Sequence, residues 1–293
     1  EPMLRVPYDL PTFDQPVAVL DAAGGGHLVV ARQGSIEDTG IPEEVCERFD
    51  GLFAWSFDAA PAGLLLQERF WVEVGWVGSP GQSGVGRPVV LTPDSGYFWF
   101  FGPDNVELML KVLDGRSLNG HFWVFYASLS DVAYTITVTD TATGRVRAYD
   151  NASGQLASRG DTAAFPAAGA SVAVPGSLLP GGPSSGLLLG DRFEVEVAWT
   201  NPETGISGIG YGVKLTDDSG YLWFFGPNNI ELVVKVLDGR AVNGRYWVFY
   251  GALSNVEYTV RVRDTATGQV REYHNPPGQL RSHADTAAFP LPE

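Results

Sequence analysis

The sequence predicts an all-β protein: two tandem Ig-like or Greek-key β-sandwich modules, preceded by an extended N-terminal segment. Three observations carry this. A long internal repeat covers most of the chain, apolar residues alternate with polar ones at period two inside each copy, and the composition favours short strands joined by tight turns. Over 293 residues, Gly (36), Pro (20) and aromatics (12%) run high while charged residues reach only 18%. The formal net charge of −15 argues against nucleic acid or an anionic membrane as partner.

The N-terminal segment, residues 1–63, has no second copy. It holds extended pieces at Val17 to Leu20 and His27 to Ala31, separated by Gly24-Gly-Gly26. Pro42 to Phe49 reads as a short helix, with Glu43 and Glu44 in its first turn. The apolar content of this segment is too small for a core of its own, so it is expected to dock on module one or on a neighbouring molecule.

Module one spans 64–166 and module two 187–293, offset by about 123 residues, with roughly three positions in five identical. Phe70, Val72, Val74 and Trp76 alternate with Glu73, and Phe193, Val195, Val197 and Trp199 with Glu196. Glu107 to Leu113 and Phe122 to Tyr126 are apolar on both sides, as in central strands. Tyr134, Ile136 and Val138 alternate with threonines, and Asp140-Thr-Ala-Thr-Gly144 then turns the chain into Val146 to Tyr149. This amounts to about six or seven strands per copy, a number suited to a sandwich. Residues 167–186, rich in Ala, Gly, Ser and Pro, read as linker, with Val172 to Val174 as a possible short strand.

The string Arg-Phe-x-Val-Glu-Val-x-Trp, Asp-Ser-Gly-Tyr-x-Trp-Phe-Phe, Glu-Leu-x-x-Lys-Val-Leu-Asp-Gly and Trp-Val-Phe-Tyr occurs in both copies. It resembles a tandem β-sandwich module of exported bacterial proteins. The resemblance covers about two thirds of the chain and leaves residues 1–63 outside. It implies location and architecture, and brings no active site with it.

A secreted or cell-surface location is the expectation. The chain begins at Glu1 without a signal peptide, which we read as removal of an export signal. Cys46 is the only cysteine, read as a small buried hydrophobe, and no apolar run is long enough to cross a bilayer.

The residues do not suggest an enzyme. His27, His121, His274 and His283 lack metal-ligand spacing, and no Gly-x-Ser-x-Gly elbow is present. Carboxylates recur as matched pairs: Glu73/Glu196, Asp94/Asp218, Glu107/Glu231, Asp114/Asp238, Asp140/Asp264 and Asp161/Asp285. Glycosidase chemistry would need two of them facing across a cleft, which a sandwich of about 100 residues rarely offers. No cofactor is called for, with Ca2+ as the one candidate. Asp114-Gly-Arg-Ser-Leu-Asn119-Gly and Asp238-Gly-Arg-Ala-Val-Asn243-Gly set oxygen donors on tight loops, although such residues also simply satisfy turns. Lys111 and Lys235, alone in apolar strands, are expected to pair with Glu73 and Glu196 or to snorkel. The aromatic ladder Tyr97, Trp99, Phe101, Trp123, Phe125 and Tyr126 reads mainly as core. Trp71, replaced by Glu194 in copy two, is expected to face outward.

The expected function is an extracellular structural subunit that assembles with copies of itself into a filament or surface appendage. Val17, Val19, Leu28, Val30 and Trp71 are the candidate assembly residues, with the N-terminal segment adding a strand to the next subunit. The alternative is a secreted module binding carbohydrate or another ligand, with calcium as a candidate stabiliser.

Overall fold

The computed structural model describes residues 17–20, 26–29, 63–78, 81–167 and 184–290. The chain divides into two compact units, Glu1–Ala60 and Pro61–Glu293. In the first, β1 (Val17–Leu20) and β2 (Gly26–Val29) form an antiparallel pair. Its register sets Val17 opposite Val29 and Val19 opposite His27. The two extended pieces read from the sequence therefore pair with each other. Val30, Cys46, the expected helix at Pro42 to Phe49 and the piece at Val172 to Val174 lie outside the described residues.

The second unit holds both repeats. The first builds β3 (Gly63–Leu66), β4 (Phe70–Val77), β5 (Ser83–Val85), β6 (Arg87–Thr92), β7 (Ser95–Trp99) and β8 (Leu108–Asp114). It continues with β9 (His121–Ser128), β10 (Ala133–Asp140), β11 (Arg145–Asn151) and β12 (Ser158–Pro166). One sheet runs β11-β10-β4-β3 with β5 beside β4, the other β12-β9-β8-β7-β6, and all pairs are antiparallel. Ten strands replace the expected six or seven because short edge pieces such as Ser83–Val85 also pair. Between β8 and β9, Arg116–Asn119 forms a helical turn, α1.

The second repeat follows the same plan. Its strands are β13 (Leu187–Leu189), β14 (Phe193–Thr200), β15 (Ser207–Ile209), β16 (Tyr211–Lys214), β17 (Ser219–Trp223) and β18 (Leu232–Gly239). After the turn α2 (Arg240–Asn243) come β19 (Arg245–Ala252), β20 (Glu257–Asp264), β21 (Val270–Asn275) and β22 (Ser282–Pro290). Its sheets run β13-β14-β20-β21, with β15 beside β14, and β16-β17-β18-β19-β22.

Alternation fixes which face goes in. Phe70, Val72 and Val74 from β4 and Tyr134, Ile136 and Val138 from β10 meet Leu108, Leu110, Val112, Phe122 and Val124 of the facing sheet in one core. The equivalent residues fill the second core. Glu73, between two inward valines, is exposed as the period requires. At one corner of each sandwich an Arg–Asp pair, fully buried in the first and half-buried at the arginine in the second, ties the start of one strand to the end of its neighbour. Arg69 Nε and Nη2 reach Asp140 Oδ1 and Oδ2 at 2.6 and 2.7 Å. Arg192 meets Asp264 at 2.7 Å through both nitrogens. Asp140 also accepts Ala142 N–H at 3.1 Å and Thr143 O–H at 2.6 Å, shaping the turn that ends at Gly144, where φ is 71°.

A third apolar cluster belongs to neither sandwich. Tyr97, Val106, Met109, Ala127 and Leu129 pack with Tyr221, Ile230, Val233 and Leu253, so the outer faces of β6–β9 and β16–β19 cover one another. This explains why β8 and β18 are apolar on both sides: one face points into the sandwich and the other toward the twin repeat. Among the described residues, no helix is long and apolar enough to cross a membrane.

Candidate functional site

The face between the repeats is where the buried polar groups concentrate. Glu107, Lys111, Glu231 and Lys235 are each at most 2% exposed. Lysine and glutamate are seldom buried so fully without partners. Here the partners come from the other repeat. Lys111 Nζ donates to Asn229 Oδ1 at 2.6 Å and to Ile230 O at 2.7 Å. Lys235 Nζ donates to Asn105 Oδ1 at 2.8 Å and to Val106 O at 2.9 Å. Each asparagine gives its Nδ2–H to the glutamate two residues on, Asn229 to Glu231 and Asn105 to Glu107. The second oxygen of each glutamate is held by a backbone N–H, Phe224 N to Glu231 and Phe100 N to Glu107, both at 2.6 Å.

Electrostatics follows from this enclosure. Burial pushes both glutamate carboxyls up, against the hydrogen bonds and the opposing lysine that favour the charged form. Burial likewise pushes both lysine ammoniums down, while Glu231 near Lys111 and Glu107 near Lys235 pull the other way. An aromatic ring stands over each ammonium, Phe125 at 5.4 Å and Phe249 at 5.5 Å.

The arrangement is reciprocal, like the isologous interface of a twofold dimer contained in one chain. Equivalent residues meet one another along its middle: Ser158 Oγ lies 2.9 Å from Ser282 Oγ. The Ser158 hydroxyl also accepts Ala252 N–H at 3.1 Å, and Ser282 donates to Ala157 O at 3.1 Å. Sequence reasoning missed this face because it left Lys111 and Lys235 either pairing with Glu73 and Glu196 or snorkelling. Those glutamates sit on the outer face of the other sheet, where Glu196 accepts from Arg261 at 2.9 Å. The legible signal was the repeated spacing Asn-x-Glu-x-x-x-Lys at 105–111 and 229–235.

The loops proposed for calcium are cradles for tryptophan. Asn119 Oδ1 accepts Trp123 Nε1–H at 2.9 Å, and Asn243 does the same for Trp247 at 2.9 Å. A Cβ on Gly115 would lie 2.0 Å from the Trp123 ring, and one on Gly239 would lie 2.1 Å from that of Trp247. Gly115, with φ −94°, is required by this close approach and not by a left-handed backbone. Asp114 and Asp238 grip Arg116 and Arg240, each with one oxygen at 2.8 Å and the other at 2.6 Å. Those guanidiniums in turn lie over Phe122 and Tyr246. Asp114 and Asp238 thus serve arginine in this structure, and Asn119 and Asn243 serve tryptophan. Among the described residues, no group of three or more His, Cys, Asp or Glu side chains gathers to hold a metal.

The other matched carboxylates also have structural partners. Asp94 and Asp218 accept the hydroxyls of Thr92 and Thr216 at the β6–β7 and β16–β17 turns. Asp161 and Asp285 accept the phenols of Tyr149 and Tyr273, both at 2.9 Å. Trp71 lies on the outer face as expected, half-buried, its ring across Gly63, where a Cβ would come within 2.3 Å. Each repeat carries one further exposed aromatic corner. Phe101, 52% exposed, stands edge-on to Trp76 at 4.8 Å, and Phe225, 51% exposed, to Trp199 at 4.8 Å.

No family model, curated protein or solved structure matches the chain.

Proposed function

We propose that the chain is a non-enzymatic structural subunit of the extracellular space. In this reading the double sandwich is a rigid building block, and residues 1–35 join it to further copies. The observation that carries the reading is the face between the repeats. Two sandwiches are fused by an apolar layer and two buried Lys–Asn–Glu clusters, an investment suited to shape and mechanical persistence. Among the described residues, the buried lysines and glutamates and the paired aspartates are engaged in holding the fold. The pairing of β1 with β2 changes the proposed mode of assembly: a hairpin edge, in place of a single free strand, would extend a neighbour's sheet. The acidic composition and the resemblance to exported modules support the location.

Electron microscopy and light scattering on the full chain and on a chain lacking residues 1–35 test this. Multimers or fibres that vanish with the deletion uphold it. Uniform monomers in both samples, 31.5 kDa for the full chain and correspondingly lighter for the shortened one, refute it.

The duplicated aromatic corner favours a second reading, a bivalent binder that stacks sugar rings on Phe101 and Phe225. Glycan-array binding lost in a Phe101→Ala/Phe225→Ala chain, and unaffected by removing residues 1–35, would select it.

A further inference from the structure

We propose that Lys111 and Asn229, and reciprocally Lys235 and Asn105, become joined by intramolecular isopeptide bonds that weld the two repeats, with Glu231 and Glu107 as proton-transfer groups. This goes beyond the structural reading above and stands whether or not the chain polymerises.

Amide formation between a lysine and an asparagine needs an uncharged amine, a carboxamide carbon within its reach, an acid to relay protons, and exclusion of water. Each cluster brings these together. Lys111 Nζ lies 2.6 Å from Asn229 Oδ1, which leaves Cγ one covalent bond away. Proximity of this kind replaces a bimolecular encounter. The carboxyl of Glu231 accepts the Nδ2–H of the same asparagine, the group that must leave. Its other oxygen is fixed by Phe224 N–H at 2.6 Å, so the acid cannot swing away. Lys111 and Glu231 are buried, and the Phe125 ring above Nζ helps to shield the amine from water. Burial lowers the lysine, favouring the uncharged amine, and raises the glutamate, so that its carboxylate can take up a proton and pass it on.

The step balances without oxidant or cofactor. The Nζ lone pair attacks Asn229 Cγ, forming the C–N bond and placing the electron pair of the carbonyl on Oδ1. One Nζ proton passes to the Glu231 carboxylate and from it to Nδ2. The carbonyl re-forms as the Cγ–Nδ2 bond breaks, and ammonia leaves. Each repeat supplies the lysine of one link and the Asn–Glu pair of the other, so the product is closed by two reciprocal bonds.

Intact-mass spectrometry of the purified, denatured full chain tests the proposal. The expected mass is that of the sequence less two ammonias, and digestion should yield branched peptides joining Lys111 to Asn229 and Lys235 to Asn105. The branched peptides separate this from ring closure at Asn119-Gly120 or Asn243-Gly244, which would also release ammonia. Glu231→Gln should keep the Lys235–Asn105 link and lose the other, so the surviving bond reports that the variant has folded. A wild-type mass equal to that of the sequence after prolonged incubation at pH 8 would overturn the proposal. So would a Glu231→Gln chain that retains both links.

Discussion

Ala127 and Gly251, equivalent positions of the two repeats, face each other across the middle of the inter-repeat layer. A Cβ on Gly251 would lie 2.8 Å from the Ala127 Cβ and 2.9 Å from Ser282 Oγ. Two methyls cannot occupy that point, and the repeats differ there accordingly. Gly251→Ala is expected to destabilise the second unit by about 1–3 kcal/mol through overpacking. Adding Ala127→Gly, which moves the methyl to the other side, should recover most of the loss. Denaturant midpoints of the wild type, the single variant and the double variant measure both effects.

Replacing Lys235 by methionine keeps much of the stem's volume but removes the charge facing Glu107. It also leaves Asn105 Oδ1 and Val106 O without their donor. Breaking a buried charge pair from one side costs about 3–5 kcal/mol. A Lys235→Met/Glu107→Gln chain should lose less than Lys235→Met alone, as urea denaturation of both would reveal.

The tryptophan cradles make a prediction opposite to that of a calcium loop. Asn119→Ala leaves the Trp123 Nε1–H without its acceptor and should cost about 1–2 kcal/mol. Its indole emission should shift toward the red. Millimolar Ca2+ should leave the melting temperature of the wild type unchanged; a clear rise would restore the loops as a metal site.

Acid should act through the corner pairs. Hydrogen bonds from Arg192 hold the Asp264 carboxyl at about 2, below its ordinary 3.8, although burial opposes this. The folded state therefore releases this proton more readily than the unfolded chain. The resulting stability is complete above pH 3.8 and is lost as pH falls through about 2. Asp264→Asn should be less stable than the wild type at pH 5, with the two thermal melting curves converging as the pH approaches 2. A difference independent of pH would exclude the ion pair as its source.

The strands were legible because each alternates against a single core, and Phe70-x-Val72-x-Val74 shows its buried face directly. The duplication itself was equally plain. The site was not legible, because Lys111 and Glu231 lie 120 positions apart in sequence and only the packing of one repeat on the other unites them. Two-sided apolarity marks β8 correctly as a central strand, but that pattern does not say that the outer face is covered by the twin repeat. The Asp-Gly-x-x-x-Asn-Gly loops stayed ambiguous for a related reason. Oxygen-rich turns look alike in sequence whether they bind a cation, an arginine or an indole. Only the Trp123 ring above Gly115 decides between them.

The account rests on the two repeats facing each other within one chain, and an engineered disulfide tests that most directly. In a Cys46→Ser background, Ala127→Cys and Gly251→Cys place two thiols where ideal Cβ atoms would lie 2.8 Å apart, so the backbones need to part by only about 1 Å to reach the roughly 3.5–4.5 Å that a disulfide spans. The prediction is rapid oxidation to a single intrachain disulfide, seen as monomeric protein with increased mobility on a non-reducing gel. Free thiols after mild oxidation, or disulfide-linked dimers, would contradict the shared face and the fused block built upon it.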